Sequence, residues 1–245
     1  MSRVAILGTY NADATQLFDV DLMQYFAAHG IPPAAIVFRT GTVPRPGIPL
    51  NAIHPVTPER SVLQVTDFND PDAVTAMREL GADLFVYAGG RDLLREGVLG
   101  ASRLGCIGGH YGPLPDIRGM GTVEWSVLND RPVVVAIQRL SRGIDTGDIL
   151  LQAPVALRPD DTFTAIRERC YYWTKILLAL SARAMLNGAI VPTPQRLEDG
   201  RQYYRMNADV LQVASRKLTT RLQAYDHHPW AHRDPRFQID GLVPR

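Results

Sequence analysis

An α/β fold built on a mostly parallel, doubly wound sheet with helices on both faces is what this sequence predicts, and two observations predict it. Short, continuously apolar runs rich in Val and Ile alternate with helical patterns through the first two-thirds of the 245 residues, which is how strands buried on both faces read. Several of those runs lead into glycine-bearing segments, where doubly wound sheets bind ligands. Residues 4–7 are the first strand. Residues 14–29 place Leu17, Phe18, Val20, Leu22, Phe26 and Ala27 at helical spacing, with Gly30 at the C-cap. Residues 34–38 are the second strand, 40–58 a Pro/Gly-rich surface loop, and 62–65 a third strand. Asp70 caps a helix over 72–80 with Pro71 at its first position. Strands at 84–88, 106–107 and 133–137 complete the sheet in a Rossmann-like order. The longest helical pattern, 162–186, is closed by Gly188, and an amphipathic helix over 208–222 comes last.

Bulk properties exclude several classes of partner. Lys and Arg number 26 against 25 Asp and Glu, a formal net charge of +1, so no basic stripe invites nucleic acid. Cys106 and Cys170 are too few for a disulfide framework and fit a reducing cytosol. No apolar run reaches the roughly 18 residues that span a bilayer. The chain opens on a strand without a signal-peptide layout, and the expected location is cytoplasmic. Residues 241–245, Gly-Leu-Val-Pro-Arg, look like a protease-site remnant. His228 and His232, with Asp226 and Asp234 nearby, have a spacing that would suit zinc on a helix. Pro229 stands between them, so no metal is expected.

Two segments carry chemistry. Gly108-Gly109-His110 and Gly143-Ile144-Asp145 are read as Gly-rich turns, each at the end of an apolar run. They offer one imidazole and one carboxylate, the pair with which an enzyme holds a general acid and a general base about one reacting carbon. Plainer readings stand beside this one: His110 as a histidine closing a strand end, Asp145 as a turn residue holding backbone N–H groups. Arg118 is either a bidentate grip on an anionic group or a buried anchor for its own loop. Tyr203 and Tyr204 either stack on a ligand ring or pack half-buried.

Together these segments match a family. Leu104-Gly105-Cys106-Ile107, His110, Leu114-Pro115 and Arg118-Gly119 resemble the first signature of the folate-dependent formyltransferases. Gln138 with Gly143-Ile144-Asp145-Thr146-Gly147-Asp148-Ile149-Leu150 resembles the second, closest to its methionyl-tRNA formyltransferase form. Ala88-Gly89 with Leu93-Leu94 is similar to the loop that cups the pterin ring, and Pro194-Gln195 after the long helix also fits. The resemblance implies a catalytic domain over residues 1–195; in the 196–240 extension, Tyr225, Pro229 and Trp230 are read as docking the tail onto the core or onto the second subunit of a homodimer. It implies formyl transfer from 10-formyltetrahydrofolate to the amine of a small molecule. His110 is then on the formyl-oxygen or leaving-group side, and Asp145 orients His110 and a water and collects the amine proton. Gly89, Arg91, Asp92, Leu93, Leu94, Gln138, Gly143 and Ile144 are implied around the folate, and Tyr111, Arg118, Tyr203 and Tyr204 around the acceptor. The short tail resembles that of enzymes formylating amino sugars on nucleotide carriers, rather than the barrel domain of the tRNA-modifying members.

One departure matters. The family's Asn, two residues before the His, is Gly108 here. Losing one oxyanion donor costs about 10²–10³ in rate, and the backbone N–H of Gly108 or Gly109 is the expected substitute. The change also leaves room for other acyl or carbamoyl chemistry (hydrolysis, deformylation or rearrangement), or for a pocket that binds without reacting.

Overall fold

The apolar runs become strands, and their neighbours along the sheet are mostly parallel. In this computed structural model, which describes residues 3–10, 20–40, 61–89 and 92–223, β1 (Val4–Tyr10) pairs in parallel with β2 (Ala35–Thr40) and with β4 (Leu84–Tyr87). β2 pairs in parallel with β3 (Ser61–Val65), and β4 with β5 (Cys106–His110). With β7 (Val134–Arg139) and β8 (Ile149–Pro154), an antiparallel pair, the order is β3-β2-β1-β4-β5-β7-β8. The helices are α1 (Val20–Ala28), α2 (Pro71–Glu79), α3 (Glu96–Leu99), α4 (Thr122–Leu128), α5 (Phe163–Leu186) and α6 (Ala208–Gln223). A separate two-stranded parallel sheet joins β6 (Ile117–Gly119) to β9 (Arg201–Tyr203).

The chain forms two compact units, the first made of residues 1–108, 139–142 and 178–191. Val4, Ala5, Ile6 and Leu7 are all buried, so successive side chains of β1 meet apolar cover on both faces. On one face Ala5, Leu7, Val37 and Phe85 pack with Val74, Met77 and Val98. Asp70 caps α2 as predicted: its Oδ1 accepts from the N–H groups of Asp72 and Ala73 at 2.9 and 3.3 Å, worth about 1 kcal/mol.

The second unit is residues 109–138, 143–177 and 192–245. Its strand β7 is buried from Val134 to Gln138. From β8, the Gln152 amide makes a cyclic pair with Leu114: Oε1 accepts the Leu114 N–H at 2.8 Å and Nε2 donates to its carbonyl at 3.0 Å. That pair holds the turn from His110 into β6. Ala214 and Leu218 of α6 are buried, and Lys217 Nζ donates to the Leu128 carbonyl at the end of α4 at 2.8 Å.

One expectation changes, and several lie outside the described residues. Gly108-Gly109-His110 is strand, not turn: β5 runs through His110, Gly108 pairs with Tyr87 of β4, and a Cβ at Gly109 would run into the Thr174 side chain of α5. Glycine there permits close helix-on-strand packing rather than a bend. The first helix begins at Val20 within the described residues, and residues 14–19 lie outside them. The 41–58 part of the expected loop, the docking residues Tyr225, Pro229 and Trp230, the His228/His232 segment and residues 241–245 also lie outside.

Candidate active site

His110 is the last residue of β5 and only 6% exposed. The next residues fold over its ring, and Gly112 is what lets them: a Cβ there would come within 3.0 Å of His110 Nε2, of the Ile117 carbonyl oxygen and of Thr122 Cβ. The ring nitrogens face two acceptors. Nδ1 lies 3.2 Å from Asp145 Oδ2, and Nε2 lies 2.8 Å from the Ile117 carbonyl oxygen. Neither oxygen donates, so the ring satisfies both only with a proton on each nitrogen. Burial opposes charge on the ring, yet the Asp145 carboxylate and the two hydrogen bonds outweigh it and hold His110 above the ordinary imidazole value.

The carboxylate is as tightly held. Asp145 Oδ2 also accepts the Gly119 N–H at 2.9 Å, and Oδ1 accepts from Gln138 Nε2 at 2.8 Å. Burial works against its ionisation, but His110, Gly119 and Gln138 outweigh burial and keep Asp145 below the ordinary carboxylate value. The residue sits at φ +53°, in the left-handed region where Asp is among the few side-chain-bearing residues tolerated. The backbone turn is pinned as well. Gln138 Oε1 accepts the Gly147 N–H at 3.2 Å, and Gln195 Nε2 donates to the carbonyls of both Asp145 and Gly147. The result is an imidazole–carboxylate pair, the ring buried and the carboxylate partly exposed, in which each group favours the charged form of the other.

The remaining expected site residues divide between the two units. In the first, Gly89 has φ +114° with open space around it, and Leu93 is 56% exposed. Asp92 and Leu93 are held: the Tyr87 hydroxyl donates to Asp92 Oδ2 at 3.3 Å, Arg39 pairs with Asp92 at 2.8 Å, and Asn69 Nδ2 donates to the Leu93 carbonyl at 3.0 Å. Leu94 is buried in the apolar core. Arg91 lies outside the described residues. Gly108 is buried, and a Cβ there would stand 3.0 Å from Cδ2 of Leu140, whose side chain fills that space.

In the second unit, Gln138 is 1% exposed and both ends of its amide are used on Asp145 and Gly147. Gly143 and Ile144 are exposed, and a Cβ on Gly143 would meet the Thr146 side chain. Gly109 backs onto α5. Tyr111 is turned inward, its hydroxyl near Thr174, and burial pushes its phenol up to about 12. Arg118 is a buried anchor: Nη2 donates to the carbonyls of Leu197 and Gly200 at 2.7 and 2.8 Å. The Tyr203 ring lies 4.7 Å from that of Trp125, whose indole N–H donates to the Tyr204 carbonyl at 2.7 Å, and Tyr204 itself is exposed. Among the described residues no group of three or more His, Cys, Asp and Glu side chains is placed to hold a metal ion. No helix among them is long and apolar enough to cross a membrane.

A family model described as "Formyl transferase" matches residues 37–180, more than half of the chain. The chain belongs to the formyl transferase family. Among family relatives, a methionyl-tRNA formyltransferase of Anaeromyxobacter dehalogenans (strain 2CP-C) is 32% identical over 182 residues, covering 69% of this chain and 55% of the relative. The chain spans about half the length of the curated relatives it matches, between 42% and 55% for the first three. Two solved formyl transferases share the fold. One is a formyltransferase from Anoxybacillus kamchatkensis in complex with UDP-4,6-dideoxy-4-formamido-L-AltNAc and tetrahydrofolate. It has a TM-score of 0.55 and 20% identity, over 82% of this chain and 85% of that one. The other is an N-formyltransferase from Helicobacter canadensis in complex with folinic acid and dTDP-3-aminofucose. It has a TM-score of 0.60 and 15% identity, over 89% of this chain and 80% of that one.

What side-chain identity left unmarked at this site is mostly backbone, namely the Gly119 N–H and the Ile117 carbonyl. Gln138, expected at the folate, has its side chain on Asp145 and Gly147, and Gln195 matched a family position without a role. Its place after the long helix was the available signal.

Proposed function

We propose that this chain transfers a formyl group from 10-formyltetrahydrofolate to the amine of a small molecule, with an amino sugar on a nucleotide carrier as the acceptor class. The observation that carries the reading is the His110–Asp145 pair, 3.2 Å apart with the imidazole buried, in a member of this family. The near-neutral charge gives a tRNA acceptor no electrostatic support. The sugar-nucleotide ligands of the two solved relatives support the acceptor class. A folate ring beside Asp92 and Leu93 is supported by Tyr87, Arg39 and Asn69, which hold these two residues in place, and by the exposure of the Leu93 side chain.

The formyl-folate supplies an electrophilic carbon and a nitrogen leaving group. His110, protonated on both nitrogens, donates to the oxygen that gains charge as the amine nitrogen bonds to that carbon, Nε2 leaving the Ile117 carbonyl to do so. Asp145 balances the imidazolium charge throughout. Its carboxylate orients a water that takes the proton from the attacking amine, and that proton leaves on the departing nitrogen. Incubating the protein with 10-formyltetrahydrofolate and a panel of nucleotide-linked amino sugars, with methionyl-tRNA alongside, and following tetrahydrofolate release tests the reading. Release with a sugar amine is the expected result, and release with methionyl-tRNA alone would overturn the acceptor class.

A second reading rests on one observation. Leu140 fills the space a residue-108 amide would need, so the usual donor to the oxyanion is replaced by an apolar wall. Hydrolysis of a formylated or carbamoylated substrate, with no tetrahydrofolate release from any amine, would favour it.

A further inference from the structure

We infer that Gln195 is a positioning residue, whose side-chain amide clamps the backbone of the Asp145–Gly147 turn and thereby sets the carboxylate against the imidazole. The inference rests on the reading of His110 and Asp145 as the reacting pair.

Asp145 occupies the left-handed region at φ +53°, which Asp enters more readily than most side-chain-bearing residues, and hydrogen bonds from other segments fix the turn there. Two glutamines supply those bonds from opposite ends. Gln138 holds the carboxylate and the Gly147 N–H, and Gln195 takes the two carbonyls that remain, those of Asp145 and Gly147. A carboxamide has two N–H donors on one nitrogen, and here both are used. The reversed amide would set an oxygen against two carbonyl oxygens, so the orientation is dictated by chemistry.

The reach of Gln195 also follows from the backbone. Thr193 and Ile149 exchange both hydrogen bonds of an antiparallel bridge, each at 2.8 Å. Antiparallel register then sets residue 195 opposite residue 147, two positions further along each segment. One side chain thus ties the end of the turn to a segment 48 to 50 residues away in sequence. Without it, the carbonyls of Asp145 and Gly147 lose the Gln195 donor, and the backbone of the turn loses its tie to the 193–195 segment.

The test reads the pair directly. His110 and Asp145 are the charged groups that act on one another; the Gly119 N–H, the Ile117 carbonyl and Gln138 are neutral. Gln195→Leu keeps the size of the side chain and removes both donors. In a titration of the His110 imidazole by nitrogen–proton NMR, the variant is expected to fall toward the ordinary imidazole value while the far-UV spectrum is retained. Formyl-transfer kcat is expected to drop about 10–100-fold with the amine KM changed less than about threefold, as a displaced catalytic group predicts. A His110 titration identical to wild type overturns the inference. If Gln195→Leu does not fold, Gln195→Asn carries the same measurement, since an amide one methylene shorter cannot reach both carbonyls; a wild-type titration there overturns it equally. Absence of formyl transfer by the wild type, with the titration still displaced in the variant, counts against the proposed reaction and not against the clamp.

Discussion

Replacing Asp145 with Asn separates charge from shape at the centre of the site. The backbone is no obstacle, because Asn tolerates the left-handed region as well as Asp does. The hydrogen bonds are the obstacle. Asp145 Oδ2 accepts the Gly119 N–H at 2.9 Å and faces His110 Nδ1 at 3.2 Å, and Oδ1 accepts from Gln138 at 2.8 Å. Asn offers one oxygen and one NH2 group. With the oxygen toward Gly119, the NH2 meets the NH2 of Gln138, which can turn only by abandoning the Gly147 N–H it accepts at 3.2 Å. With the oxygen toward Gln138, the NH2 meets the Gly119 N–H. Either way one buried donor loses its acceptor, a loss of about 1–3 kcal/mol. The buried imidazolium also loses its counter-charge, and breaking such a pair costs about 3–5 kcal/mol. Both losses reside in the same carboxylate and His110 can shed its proton, so a total of about 3 kcal/mol is expected. With a urea m-value of about 2–3 kcal/mol per molar, the midpoint of unfolding at pH 6 drops by about 1 M. The gap narrows as pH rises through the folded pKa of His110, because the wild-type ring is then neutral too. Equal midpoints and equal slopes for the two proteins at pH 6 would refute the reasoning.

Three further outcomes follow. His110 is raised from 6.5 and Asp145 lowered from 3.8 on folding. The histidine's contribution to stability is therefore full below 6.5 and lost as pH climbs through its folded pKa. The aspartate's is full above 3.8 and lost as pH falls through its own. Wild-type unfolding midpoints should be highest between those two ordinary values, and His110→Gln should abolish the alkaline decline; persistence of that decline assigns it to another group. Arg118→Lys replaces a fork on the Leu197 and Gly200 carbonyls with a single point charge and should cost about 2 kcal/mol. Limited proteolysis should then cut within residues 196–203 sooner, and an unchanged digestion rate would contradict the anchoring role. Gly108→Asn drives a side chain into Leu140 and should destabilise by about 1–3 kcal/mol. Adding Leu140→Ala should recover part of that loss, a non-additivity that a double-mutant cycle in urea measures directly.

The parallel strands were legible because burial on both faces leaves an unbroken apolar run, as Val4 to Leu7 and Leu84 to Val86 show. The α2 start was legible because Asp70-Pro71 is a local signal that needs no tertiary contact to operate. The β6–β9 pair was not. Each strand is three residues long, one is Ile-Arg-Gly and the other Arg-Gln-Tyr, and neither has the alternation or branching by which a strand announces itself. Their pairing is fixed from outside, by the Arg118 anchor and by Gly119, where any Cβ would strike the Tyr203 carbonyl. At the site, His110 and Asp145 were legible as residue types in a family pattern. Their partners were not: the Ile117 carbonyl and the Gly119 N–H are common to every residue, and the hydrogen bond from Gln138 to the carboxylate depends on a turn conformation that composition does not encode.

The two backbone atoms that grip the imidazole and the carboxylate belong to a ribbon whose other edge comes from residues 201–203. A version of this protein trimmed after residue 195 would keep every side chain of the family pattern and lose the brace under it. Anyone transplanting the pair into another scaffold, or trimming the chain to a smaller catalyst, has to carry residues 196–203 along with it.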